Sequence, residues 1–168
     1  MSERQAQADM QATIQTGKEE TYARLTREIV SVLEGESNNI ARMATVSCLL
    51  HEAFPDRIWT GFYIVDPMKP EELVVGPYQG TLGCLRIPFG KGVCGTAAAE
   101  RATQVVDDVH DFPGHIACDS RSVSEIVVPV CNCDGDLIAV LDIDSDKPAM
   151  FDQTDRTALE ELIEAIFG

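Results

Sequence analysis

Basic residues are scarce in this chain. Lys and Arg number 13 against 28 Asp and Glu, a net charge of −15 over 168 residues. Binding to DNA, RNA or an anionic membrane surface needs a basic face, so no nucleic-acid or membrane partner is expected. Long apolar runs are also missing, and none approaches the roughly 20 residues that span a bilayer. The first ten residues, Met1 to Met10, are polar and lack the apolar stretch of a secretory signal. A cytoplasmic location, where thiols stay reduced, is therefore expected. Internal repeats, low-complexity stretches and linkers are absent as well, which argues against an array or a two-domain chain.

What is present is ordinary globular material. Apolar residues make up 45% and charged residues 24%, which excludes disorder. A chain of this length buries roughly 70% of its unfolded surface and needs no disulfide framework to fold. Six cysteines in a reducing compartment are then core thiols, metal ligands or redox catalysts.

Residues 1–17 are Gln- and Ala-rich and read as a tail or frayed helix, leaving 18–168 as one domain. Tyr22, Leu25, Ile29 and Val32 recur at helical spacing up to Gly35. Ser37 is placed to cap a second helix with Ile40, Met43, Ser47, Leu50 and Phe54 as its apolar stripe, ended by Pro55. Ile58 to Val65 reads as a strand and Leu73 to Tyr78 as its antiparallel partner after the turn at Asp66-Pro67. Arg86 to Gly92 reads as a loop, Val93 to Glu100 as a short Ala-rich helix and Gln104 to Val109 as a strand. Glu125 to Cys133 and Asp136 to Asp144 read as strands joined by a tight hairpin at Asp134-Gly135, where Pro129 either weakens the first strand or marks a bulge in it. Asp152 caps a last helix bearing Leu159, Leu162, Ile163 and Ile166 on one side. The whole is α+β with a mostly antiparallel sheet.

The stretch from His110 to Ser124 is a long polar loop, and such loops are usually functional or disordered. It carries Cys118 among Asp119, Ser120 and Arg121, polar neighbours that favour a working thiol over a core one. Cys94 follows Gly90-Lys-Gly92 at a helix start. There it is either a thiolate stabilised by the helix dipole or simply a small packed residue. Cys84 lies in a turn-rich segment after Gly80 and Gly83. Cys48 is expected in the core. Cys131 and Cys133, two apart at a strand end, are expected to share a face, and without a second pair they do not make a zinc site. His110 and His115 with Cys118 match no recognised ligand spacing, so no metal is expected.

Asp142 and Asp144 share one strand face, and the hairpin brings Glu125 near the same end. Such a group is either a solvated strand end or a like-charge cluster that raises one carboxyl pKa. The cluster would supply a proton or hold a substrate ammonium. Trp59, Gly61 and Tyr63 share a face on the first strand, either as core packing or as an aromatic wall with a gap.

From about Tyr22 to the C-terminus these segments resemble free methionine-R-sulfoxide reductase, a stand-alone family built on a GAF domain. The likeness is densest at Trp59-Thr-Gly-Phe-Tyr63, at Gly76 to Ala99 around Cys84 and Cys94, and at Val109 to Pro129 with Leu141-Asp-Ile-Asp-Ser145. Thr60, Cys131 and Cys133 depart from that pattern. The resemblance implies a GAF-like sheet of about six strands, helices mainly on one face, and a loop-enclosed ligand pocket on the other. It implies a homodimer with no metal and no bound cofactor. Cys118 matches the catalytic nucleophile, Cys84 the resolving cysteine and Cys94 an alternative resolving one. Glu125, Asp142 and Asp144 match the substrate-binding carboxylates, and Trp59 and Tyr63 the aromatic wall. The implied activity is thiol-dependent reduction of free L-methionine (R)-sulfoxide through a Cys118 sulfenic acid and an intramolecular disulfide, with thioredoxin as electron donor. The alternatives are a non-catalytic GAF sensor for a small molecule and a thiol redox switch without a substrate.

Overall fold

The chain's two apolar periods, 3.6 and 2, sort its residues onto the two sides of one sheet. The computed structural model describes residues 3–114, 116 and 118–168, with backbone only for residues 3–15. Helix α1 spans Glu3–Val32 and is continuous through residue 17, with Tyr22, Leu25 and Ile29 buried along one side. Gly35 ends the turn that follows it at φ +78°, a left-handed conformation that favours glycine.

Helix α2 (Asn39–Ala53) is capped by Asn38 rather than Ser37. The Asn38 side chain accepts from the backbone N–H groups of Ile40 and Ala41. Met43, Ser47 and Leu50 are buried as the stripe predicts, whereas Ile40 is exposed. Cys48 is exposed too, because it lies off the stripe facing the sheet and its neighbour Ser47 takes the inward position.

The strands are β1 (Arg57–Asp66), β2 (Lys69–Gly80), β3 (Arg86–Pro88), β4 (Gln104–Val106), β5 (Ser124–Cys131) and β6 (Leu137–Ser145). They form one antiparallel sheet in the order β3-β2-β1-β6-β5-β4. The segment expected as a loop from Arg86 therefore opens with an edge strand, paired Leu73 to Ile87. Gln104 starts a shorter strand than the pattern suggests, followed by a 3-10 turn over Val109–Asp111. The β5–β6 connection is longer than a two-residue hairpin. Asn132 organises it by accepting from the N–H groups of Asp134 and Asp136, with Gly135 at φ +81°. Cys133 thus lies in the turn, exposed, and does not share a strand face with half-buried Cys131. Pro129 is tolerated because β4 covers only residues 125–127 of β5, so no ladder bond is lost on that side.

One face of the sheet carries Phe62, Ile126, Val128, Leu141 and Ile143 and packs against α1, α2 and α4 (Gln153–Phe167). The capping box of Asp152 and Asp155 starts α4. A buried ion cluster ties this layer together. Asp155 accepts from Arg57, Lys18 and Tyr22 at 3.0, 2.6 and 2.7 Å, joining α1, β1 and α4. The opposite face carries Trp59, Tyr63, Val127 and Val140 under the short helix α3 (Gly92–Glu100). This is the GAF-like α+β arrangement expected. Among the described residues no helix is long and apolar enough to cross a membrane.

Candidate active site

Strand register assembles the acidic cluster. On β5 and β6 Glu125 pairs directly with Asp144, and Asp142 is the next residue on that face. On the other side of β6, Trp59 pairs with Asp144 and Gly61 with Asp142. Alternation along the strands then points Glu125, Asp142, Asp144, Trp59 and Tyr63 into one cavity, closed over by Cys94 and Cys118. The aromatic wall and the carboxylates expected from the sequence are thus one site rather than two.

Trp59 is stacked between Tyr63 and Tyr78, at centroid distances of 5.4 and 5.2 Å. Gly61 makes room for this stack, since a Cβ there would lie 2.2 Å from the Tyr78 Cβ. Gly83 lets the loop before Cys84 rest on the aromatic wall. A Cβ at that position would lie 2.7 Å from the Tyr63 hydroxyl and 3.3 Å from the Trp59 Nε1.

Cys84 and Cys118, 34 residues apart, are joined by a disulfide with their Cα atoms 5.1 Å apart. Thr81 and Asp119 brace the same two loops, the hydroxyl donating to the Asp119 carboxylate at 2.6 Å. Arg121 and Thr81 together hold the Asp119 carboxyl well below the usual range. The Thr81–Asp119 pairing carries no signal in the sequence, because it depends on loop closure.

Burial dominates the electrostatics. Glu125 is pushed well above the usual carboxyl range by burial and then by Asp142 and Asp144. Asp142 is raised by burial and by the Asp144 charge. Asp144 is pushed up to about 6 by burial, partly offset by a hydrogen bond from the Ser122 hydroxyl. Burial and mutual repulsion keep these three carboxyls from all ionising together near neutral pH. Burial and the same acidic neighbours also keep the Tyr63 hydroxyl protonated.

Cys94 resolves its two readings toward the packed one. Its thiol is buried, lies 3.7 Å from Glu125 Oε1, and is driven well above its ordinary pKa by burial and by Asp142 and Glu125. The helix start does not favour a thiolate here, because burial and then the acidic groups outweigh the dipole of a nine-residue helix. Cys94, Glu125 and Asp142 each bring one ligand-type atom within 4.8 Å of the others, the one such cluster among the described residues. His110 lies on the 3-10 turn, its ring bonded to Asp108 at 2.7 Å. His115 lies outside the described residues.

Two buried polar atoms lining the cavity have no partner, Asp142 Oδ1 and Trp59 Nε1. An unsatisfied acceptor and donor in a lined cavity suit a ligand with its own polar groups.

The chain matches the GAF domain family over residues 19–166. It is 47% identical over 149 residues to GAF domain-containing protein A of Dictyostelium discoideum, covering 89% of this chain and 92% of that protein. It is 44% identical over 146 residues to the free methionine-R-sulfoxide reductase of Escherichia coli, covering 87% of this chain and 86% of that protein. The crystal structure of free methionine-R-sulfoxide reductase from Neisseria meningitidis in complex with its substrate superposes with a TM-score of 0.82 at 48% identity. It covers 86% of this chain and 85% of that one.

Proposed function

The chain belongs to the GAF-domain family and, within it, to the free methionine-R-sulfoxide reductases, and from that premise we propose how its residues carry out the reduction. It is an oxidoreductase acting on free methionine (R)-sulfoxide. The observation that carries the mechanism is the Cys84–Cys118 disulfide set against a buried carboxyl cluster and an aromatic wall.

In the reduced protein the Cys118 thiolate attacks the sulfoxide sulfur. A transient S–S bond forms and the sulfoxide oxygen takes up a proton; the hydroxyl then passes to the Cys118 sulfur as the S–O and S–S bonds break, leaving a Cys118 sulfenic acid and methionine. Expelling a bare oxide is costly, so a proton must reach the oxygen as the bond breaks. Glu125 and Asp144, facing each other across β5 and β6, supply it from a pair held partly protonated by burial. Asp142 receives the substrate ammonium at its unpartnered Oδ1. That charged contact explains restriction to the free amino acid, since a residue inside a peptide has no ammonium to offer. Trp59 and Tyr63 hold the methyl end against their ring faces. Cys84 then attacks the sulfenic sulfur, water leaves, and the disulfide forms. Cys94 is the alternative resolving thiol, but its burial and raised pKa leave the resolving role with Cys84.

The proposed electron donor is thioredoxin, and no bound cofactor enters the cycle. The acting unit is residues 18–168, working as a cytoplasmic homodimer. A non-catalytic sensor or a substrate-free thiol switch gives the proton-holding cluster beside the redox cysteines no task.

The test is NADPH consumption with thioredoxin and thioredoxin reductase. It compares free methionine (R)-sulfoxide, the S epimer and a peptide containing the R sulfoxide. Turnover of the free R epimer alone is expected. Equal turnover of the peptide refutes the ammonium contact. Silence with all three, and with dithiothreitol as reductant, refutes the reductase reading.

A further inference from the structure

Large apolar side chains are exposed at few places among the described residues, and three of them surround the redox disulfide. Leu82 is 74% exposed, Leu85 68% and Ile116 36%. Leu82 and Leu85 flank Cys84, and Ile116 stands two residues before Cys118. Leaving such groups in water is unfavourable, and apolar patches beside a reactive group mark contact surfaces. The two arginines near the patch are already paired. Arg86 is bonded to Asp66 and Glu72, each at 2.6 Å, and Arg121 to Asp119 at 2.7 Å. The net charge of −15 gives an acidic partner no long-range attraction.

We propose that Leu82, Leu85 and Ile116 form the docking rim for a dithiol protein reductant of the thioredoxin type, whose thiolate attacks Cys84. This rests on the reductase reading above. The occupant follows from what the rim encloses: a disulfide that a second dithiol must reach for the cycle to continue. The direction of attack follows from the two sulfurs' surroundings. Cys118 lines the cavity, whereas Cys84 does not and lies between the two exposed leucines. The incoming thiolate forms a bond to the Cys84 sulfur, the Cys84–Cys118 bond breaks, and its electron pair leaves on the Cys118 sulfur. The reductant's second thiol then attacks the reductant's own sulfur in the mixed disulfide and releases Cys84. The reductant is oxidised by two electrons, its two thiol protons pass to Cys84 and Cys118, and Cys118 is left facing the cavity for the next substrate. Docking of this kind depends on apolar area and is therefore insensitive to salt.

The experiment is steady-state turnover of free methionine (R)-sulfoxide by Leu85→Ser, with thioredoxin varied and, separately, with dithiothreitol. Losing one apolar anchor should lower kcat/KM for thioredoxin about tenfold and leave dithiothreitol-driven turnover unchanged. Leu85→Met should restore the thioredoxin value. An equal fall with both reductants, or no fall with thioredoxin, overturns the docking rim. Wild-type protein active with dithiothreitol but idle with thioredoxin overturns the partner alone. Wild-type protein idle with both overturns the reductase reading instead. Thioredoxin lacking its second active cysteine should trap a mixed disulfide mapped to Cys84, and a trap at Cys118 overturns the direction of attack.

Discussion

Replacing Asp144 by Asn separates stability from catalysis at the acidic cluster. Asn keeps the size of the side chain and an oxygen to accept the Ser122 hydroxyl, but cannot ionise. The folded-state pKa of Asp144 is raised from 3.8 to about 6, chiefly by burial. A carboxyl raised in this way favours folding while protonated. The advantage is fully present below pH 4 and is lost as pH climbs through 6. Above pH 7 the wild-type protein therefore carries an ionised group in a poor environment, at a cost of up to about 3 kcal/mol. Asp144→Asn should remove that cost at pH 8 and change little at pH 4. For a domain of this size the gain corresponds to a rise in Tm of roughly 6–12 °C at pH 8. Thermal unfolding followed by circular dichroism at pH 4, 6 and 8 reads it directly. Turnover should fall in the same variant, because Glu125 loses one of the charges that keep it protonated. A Tm gain equal at all three pH values would mean that packing, not ionisation, is responsible. A loss of Tm at pH 8 would refute the desolvation argument outright.

Cys118→Ser should abolish turnover, since a hydroxyl cannot form the sulfenic intermediate; measurable steady-state methionine release would remove Cys118 from that role. Cys84→Ser should release one equivalent of methionine and then stall with thioredoxin, as a single-turnover measurement would show. Full steady-state activity there would hand the resolving role to another thiol. Asp155→Ala leaves buried Arg57 without its carboxylate and Lys18 with Asp152 alone, and should cost about 3–5 kcal/mol in urea unfolding. Gly83→Ala drives a methyl group into the Tyr63 hydroxyl and should lower turnover roughly 10- to 100-fold with little loss of stability.

Much of the architecture is local and therefore legible. The Asp152 cap, the stripe of Leu159, Leu162, Ile163 and Ile166, and the alternation of Leu141, Asp142, Ile143 and Asp144 each depend on neighbours within a turn or two. Where reading failed, the deciding partner lay far along the chain or one residue away. Arg86 to Pro88 looks like a loop until β2 offers it an edge to pair with. Ser37 and Asn38 are chemically equivalent caps, and only the backbone geometry chooses between them. Cys48 sits next to the buried stripe, and a rotation of one residue about the helix takes it into solvent.

The chemistry-bearing residue types and their strand phase are properties of the sequence. Period-two alternation sends Trp59 with Tyr63, and Asp142 with Asp144, to one face of their own strand. The tertiary structure decided what those residues are to one another. It set Glu125 opposite Asp144 by register, buried the trio so that its members do not all ionise together, and turned Cys94 from a candidate thiolate into a buried packing residue. It also brought Cys84 and Cys118, 34 residues apart, into a bond between two loops braced by Thr81 and Asp119. The physical reason is range. Side-chain direction follows from local backbone geometry, whereas burial, charge repulsion and loop proximity are set by segments that meet only once the chain has folded.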